Sequence, residues 1–134
     1  MINYKFKHPP ILIGGKAMEF YKLRKSGDDI DFVISKVDYN ALSKIYPPNH
    51  FMPSQTPAIT VKNKIDTDYF LHLYNLDYDA LKINSIKHNN MLVISKIDLI
   101  LLKSMTAFDK KNKIGISTKN KNLKDISLLV NSFI

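Results

Sequence analysis

Cysteine is absent from this chain of 134 residues. Its absence excludes a disulfide scaffold, a thiolate zinc site and a cysteine nucleophile, and it fits a reducing compartment such as the cytoplasm. No apolar run approaches the roughly 20 residues that a membrane-spanning helix needs, and the opening MINYKFKHPP has no signal-peptide hydrophobic region. His8, His50, His72 and His88 lack metal-ligand spacing, so no zinc centre is expected. Gly15-Lys16 is followed by Ala17, not by Ser or Thr, which argues against a P-loop NTPase. No Ser–His–Asp order and no nucleophile elbow is visible. Acids are also scarce: 12 stand against 20 lysines and arginines, for a net charge of +8. Such a balance attracts polyanions, among them nucleotides, tRNA and other RNA. The lysines are scattered instead of forming one stripe, so solubility accounts for them as readily as a partner does.

Apolar residues make up 45% of the chain, enough for a real core, and one domain over 1–134 is expected. Strands are expected at Ile11–Ile13, Ile30–Ile34, Ala58–Lys62, Ile65–Tyr74 and Met91–Ile94, with a turn near Asn63-Lys64. Helices are expected at Lys16–Leu23, from Ser35 to about Ile45, from Asp77 to about Lys87, and from Ser95 to Phe108. Ser35 with Asp38, and Ser95 with Asp98, read as capping-box variants. Pro47-Pro48 stops the second helix, and Asn49–Pro57 reads as a loop. Ile97, Ile100, Leu101, Met105 and Phe108 form one apolar stripe, and Leu123, Ile126, Val130 and Phe133 another; both are expected in the core. The lysine-rich stretch from Asp109 to Lys124 reads as an exposed loop between the last two helices, able to grip a polyanion. No internal repeat and no domain linker is evident.

The stretch Ile11–Ser35 carries the most chemistry. A short apolar run ends in Gly14-Gly15, a basic helical segment follows, and an apolar strand then carries Asp29 and Asp31. Side chains two apart in a strand share a face. Glycines let the backbone approach a phosphate closely, and a helix start offers unpaired N–H groups to an anion. Two adjacent carboxylates repel unless a cation lies between them. Mg²⁺ takes one or two carboxylates together with substrate phosphates. The ordered combination therefore points to a site for divalent metal and a triphosphate.

In this order the residues resemble the nucleotidyltransferase (polymerase-beta-like) superfamily, and within it the small stand-alone domains of the toxin–antitoxin and abortive-infection type. The segment is also similar to the opening of the tRNA-nucleotidyltransferase and poly(A)-polymerase head. The resemblance implies an α+β nucleotidyltransferase fold, a short mixed sheet with helices mainly on one face. It implies transfer of a nucleoside monophosphate from an NTP to an acceptor hydroxyl on tRNA or other RNA, a protein or a small molecule, with one or two Mg²⁺ ions. Gly14, Gly15 and Lys16 match the phosphate loop, Asp29 and Asp31 the metal ligands, and Arg24 a basic residue before the acids. Many members have Gly-Ser where this chain has Gly14-Gly15, so a hydroxyl that would touch a phosphate is missing here. The third carboxylate falls on Lys64–Tyr74, where Asp68 is preferred and Asp66 is the alternative. Lys103 and the pair Lys124-Asp125 match positions in the closing helices, with Lys103, like Arg24, expected to neutralise developing charge. The alternative reading is a non-catalytic module on the same fold, binding nucleic acid or protein as an antitoxin-like or regulatory subunit.

Overall fold

Two hexapeptides of nearly identical sequence, Val33-Ile34-Ser35-Lys36-Val37-Asp38 and Val93-Ile94-Ser95-Lys96-Ile97-Asp98, mark the same local event. In the computed structural model, which describes residues 2–48, 50–51, 57–109 and 115–134, each ends a strand and starts a helix. Ser35 has φ −64° and ψ 157°, and Ser95 has φ −64° and ψ 156°. Each serine Oγ accepts the backbone N–H three residues on, at 3.2 Å for Asp38 and 3.1 Å for Asp98. Both serines thus cap their helices as expected, but neither aspartate bonds back to the serine N–H as in a full capping box. The absence of an internal repeat is qualified by this six-residue echo.

The fold is α+β. In chain order the elements are β1 (Ile11–Ile13), α1 (Gly14–Phe20), β2 (Ile30–Val33), α2 (Lys36–Ile45), β3 (His50–Phe51), β4 (Pro57–Val61), β5 (Thr67–Phe70), β6 (His72–Leu73), β7 (Leu76–Asp77), α3 (Tyr78–Lys82), β8 (Ile86–His88), β9 (Met91–Val93), α4 (Lys96–Ala107) and α5 (Ile116–Asn131). Among the described residues, seven strands form a mixed sheet in the order β3-β4-β5-β2-β1-β9-β8, and β6 and β7 pair separately. The β2–β5 and β1–β9 pairs are parallel and the others antiparallel. The larger core cluster joins Ile11, Val33 and Phe70 to Met18 of α1, Leu81 of α3, Leu99 and Leu102 of α4, and Leu129 of α5. A second cluster joins Ile59 and Tyr69 to Tyr39 and Leu42 of α2, with Tyr4 and Phe6 packed against it.

Several boundaries differ from expectation, each for a local reason. The first helix begins at Gly14 and ends at Phe20, and Lys22 at φ 59° turns the chain away. The strand over Ile65–Tyr74 breaks after Phe70, because Tyr74 adopts φ 56° and the segment His72–Asp77 folds into its own hairpin. Asp77 does cap a helix, but that helix stops at Lys82, and Ile86–His88 becomes an edge strand paired with β9 across a turn where Asn89 has φ 54°. Asparagine tolerates this left-handed conformation better than most residues. In the expected loop Asn49–Pro57, His50–Phe51 pairs with β4, and Pro57 opens that strand; Asn49 and residues 52–56 lie outside the described residues.

The loop expected over Asp109–Lys124 is largely helix: α5 starts at Ile116, so Lys119, Lys121 and Lys124 are helical, while Lys110, Lys111 and Lys113 lie outside the described residues. The two apolar stripes are turned from their expected orientation. In α4 the buried residues are Leu99, Leu102, Lys103 and Ala107; Ile100 and Met105 pack against the core, but Ile97, Leu101 and Phe108 are exposed. In α5 Asp125 and Leu129 are buried and Ile126 is half-buried, while Leu123, Val130 and Phe133 are exposed. The physical reason is that an ion pair between Lys103 and Asp125, at 2.8 Å, occupies the inner sides of both helices.

Candidate active site

Strand register brings the site together. Ile13 of β1 pairs with Asp31 of β2, Asp31 with Asp68 of β5, and Asp68 with Thr60 of β4, so these residues form one row across four strands. Neighbouring strands lie roughly 4.8 Å apart, so Asp31 and Asp68 stand side by side on the same face. Their neighbours Phe32 and Tyr69 point to the other face and stack at 5.7 Å. A cavity of about 700 Å³ lies on that other face among Tyr4, Phe6, Ile30, Phe32 and Tyr69, and has no carboxylate in its lining.

Gly14 follows Ile13 directly and adopts φ +66°. A Cβ there would lie 3.0 Å from Asp31 Oδ2, so only glycine lets the backbone pass this close to the carboxylate. At Gly15 a Cβ would lie 3.3 Å from Ser26 Cβ and 3.6 Å from Arg24 Nη1. Gly14 is therefore fixed by its φ and its closeness to the acid, whereas Gly15 lies in a tight but less exacting contact with the basic turn.

Electrostatics mark Asp31. Burial pushes its carboxyl up to about 7, helped by the charges of Asp68 and Asp29 and by a hydrogen bond with Asp68, and opposed by Lys103. The Thr60 hydroxyl donates to Asp68 Oδ1 at 2.6 Å, which orients that carboxylate. Asp29 is exposed but near enough for its charge to act on Asp31. Asp66 is exposed and precedes β5, so Asp68 is the residue in register. Asp31, Asp68 and Asp29 do not assemble into a three-ligand group, and no such group of His, Asp or Glu occurs among the described residues. The Asp31–Asp68 pair still fits a hard divalent cation. Its donors are all oxygen, and its mutual repulsion is what a cation would relieve.

The expected basic residues are placed differently. Arg24 donates to Asp125 through Nε and one Nη, both at 2.7 Å, and the buried Lys103 Nζ lies 2.8 Å from the same carboxylate. Burial alone would raise the Asp125 carboxyl, but these two donors outweigh it and hold it low. Hydrogen bonding to Asp125 raises Arg24. Burial pulls Lys103 down, against the pull of Asp125. The three groups sum to one positive charge, packed behind Gly15 and felt by Asp31. Lys16 is partly exposed and lies 3.8 Å from Glu19, the looser pairing of a surface side chain. His72 sits in the separate β6–β7 hairpin, its Nδ1 2.9 Å from Tyr74 O. Tyr69 and Tyr78 are buried packing residues, and the Tyr74 hydroxyl donates to Asp109 at 2.7 Å.

Two contributors had no expected role. Thr60 carries no motif, and its contact with Asp68 follows only from the β4–β5 register. Asp125 was matched only as half of a Lys-Asp pair, and its contacts with Arg24 and Lys103 depend on how α4 and α5 pack. No protein-family model, no curated protein and no solved structure matches this chain.

Proposed function

We propose that the chain is a Mg²⁺-dependent nucleotidyltransferase on a nucleotidyltransferase fold, moving a nucleoside monophosphate from an NTP to an acceptor hydroxyl. The observation that carries this reading is the Asp31–Asp68 register pair with the Gly14 backbone pressed against it. Asp31 and Asp68, with Asp29 at the rim, would hold the cation. When bound, Mg²⁺ supplies neutralisation of phosphate charge. The Gly14-Gly15 backbone receives the triphosphate. The acceptor oxygen attacks the α-phosphorus, the bond to the β-phosphate breaks, pyrophosphate leaves, and the hydroxyl proton passes to the Asp68 carboxylate. No covalent enzyme intermediate is needed; positioning and charge supply the catalysis. Arg24 and Lys103 act through Asp125 as positioning residues, holding positive charge behind Gly15.

The test is pyrophosphate release from each NTP with Mg²⁺, over tRNA, protein and small-molecule acceptors, by wild type and Asp31→Asn. Release that Asp31→Asn abolishes supports the reading. Absence of release, together with equal thermal shifts by NTP and Mg²⁺ in both proteins, would refute it. A second reading, a non-catalytic binding module, draws on the commitment of Arg24 and Lys103 to Asp125 and on the lack of a three-ligand group. It requires that Asp31→Asn leave partner binding unchanged.

A further inference from the structure

The solvent side of the α4–α5 layer carries exposed apolar rows among polar residues, although both helices already bury a side against the sheet. In α4, Ile97 is 61% exposed and Leu101 43% exposed, about half a turn from the buried Leu99 and Lys103, and Phe108, just past the helix end, is 61% exposed. In α5, Ile116, Leu123 and Val130 recur every seventh residue, opposite the buried Asp125 and Leu129, and all three are exposed. The helices run antiparallel. Lys96, at the start of α4, places its Nζ 5.2 Å from the Phe133 ring beyond the end of α5, and Lys119, near the start of α5, places its Nζ 5.4 Å from the Phe108 ring beyond the end of α4. The exposed rows thus run along two neighbouring, antiparallel helices, with the α4–α5 seam between them. Large apolar side chains exposed in rows on neighbouring helices point to an interaction site.

Charge identifies the occupant. The exposed ionic side chains of α5 are Lys119, Lys121 and Lys124, because its one acid, Asp125, is buried and paired. A second copy would bring the same lysines and a net charge of +8 against them. Such like-charge juxtaposition disfavours self-pairing. We propose that this seam binds an amphipathic helix of another protein, one with an apolar stripe and acidic flanks. An apolar stripe at helical spacing would lie between the two exposed rows, and flanking carboxylates would meet the α5 lysines.

The probe is a labelled synthetic helix with a Leu/Ile stripe and Glu flanks, followed by fluorescence anisotropy with the full chain. Its controls are the same helix with Lys flanks and a scrambled Glu-containing peptide. The Glu-flanked helix is expected to bind about tenfold or more tightly than either control. Leu101→Ser with Leu123→Ser should weaken binding about tenfold with an unchanged circular dichroism spectrum, since both residues are exposed. The triple change of Lys119, Lys121 and Lys124 to Gln keeps the apolar rows, and it should weaken binding and flatten the salt dependence. Equal binding of the scrambled peptide, or no effect of either variant, would overturn the proposal. So would failure of all three peptides to bind, or sedimentation showing that wild type self-associates through this seam.

Discussion

The two VISK-V/I-D units are alike in backbone and unlike in what their acids do. The capping serines differ by 1° in ψ. Asp38 is fully buried and accepts from the Tyr4 hydroxyl at 2.7 Å, from the Lys7 and His8 backbone N–H groups at 2.9 Å each, and from Ser35 Oγ at 2.9 Å. Asp98 has a buried Oδ2 with no hydrogen-bond partner among the described residues. The first unit is tied to the molecule by its cap acid, which holds the N-terminal segment. The second is tied one turn further on, where Lys103 reaches Asp125. The strands differ in the same way: two residues before the shared valine stands Asp31 in one and Met91 in the other. A hexapeptide thus sets local geometry, while the segment that packs on it decides whether its acid is an anchor or a bystander.

The largest way to break the comparison is to remove the second unit's tether. Asp125→Ala leaves Arg24 and Lys103 without their shared carboxylate, and a loss of about 3 kcal/mol is expected in urea denaturation. A loss under about 1 kcal/mol would show that solvent screens the cluster.

Next comes the first unit's anchor. Asp38→Ala strands four donors, with an expected cost of about 2–3 kcal/mol. The Tyr4 hydroxyl, now pushed up to about 12 by burial and by Asp38, should titrate lower in the same variant. An unchanged Tyr4 titration would break the assignment.

Asp31→Asn sharpens the contrast between the strands. Because the folded protein holds the Asp31 proton up to about 7, against an ordinary carboxyl value of 3.8, wild type loses stability as pH rises through that window. The variant lacks this loss. It should match wild type near pH 4 and exceed it near pH 8, by on the order of 2 kcal/mol or several degrees in Tm. Equal melting curves at both pH values would place Asp31 in a more open site.

The smallest effect is expected at Asp98. An acid in the first turn of a helix gains from the helix dipole, and an unpaired buried oxygen costs a comparable amount. Asp98→Asn should therefore change stability by less than about 0.5 kcal/mol. A loss matching that of Asp38→Ala would mean the two units are anchored alike.

The parts legible in the sequence are those set locally. Gly14, Gly15 and Asp31 were readable because the glycine turn and the strand that holds Asp31 lie within one short segment; Asp29, expected on the same strand, precedes β2, which starts at Ile30. Both capping pairs were readable because a Ser hydroxyl and an N–H three residues on need no tertiary partner. Asp68 was preferred over Asp66, and the parallel β2–β5 register pairs it with Asp31. What sequence could not give was orientation. The α4 and α5 stripes have two apolar sides each, and periodicity alone does not say which faces the sheet. The choice falls to Lys103 and Asp125, charged residues that hydropathy assigns to water. The edge strand β8 was missed because Ile86–His88 is exposed and shows no buried-face alternation.

The Arg24–Asp125 link joins residues 101 apart in the chain. Synthesis runs from the N-terminus, so Gly14, Gly15, Asp31 and Asp68 all leave the ribosome before Asp125 does. The charge behind the glycine turn remains unbalanced until the last helix has emerged and docked. A message cut short anywhere before α5 would yield a chain carrying every acid of the candidate site with its basic turn left unclamped.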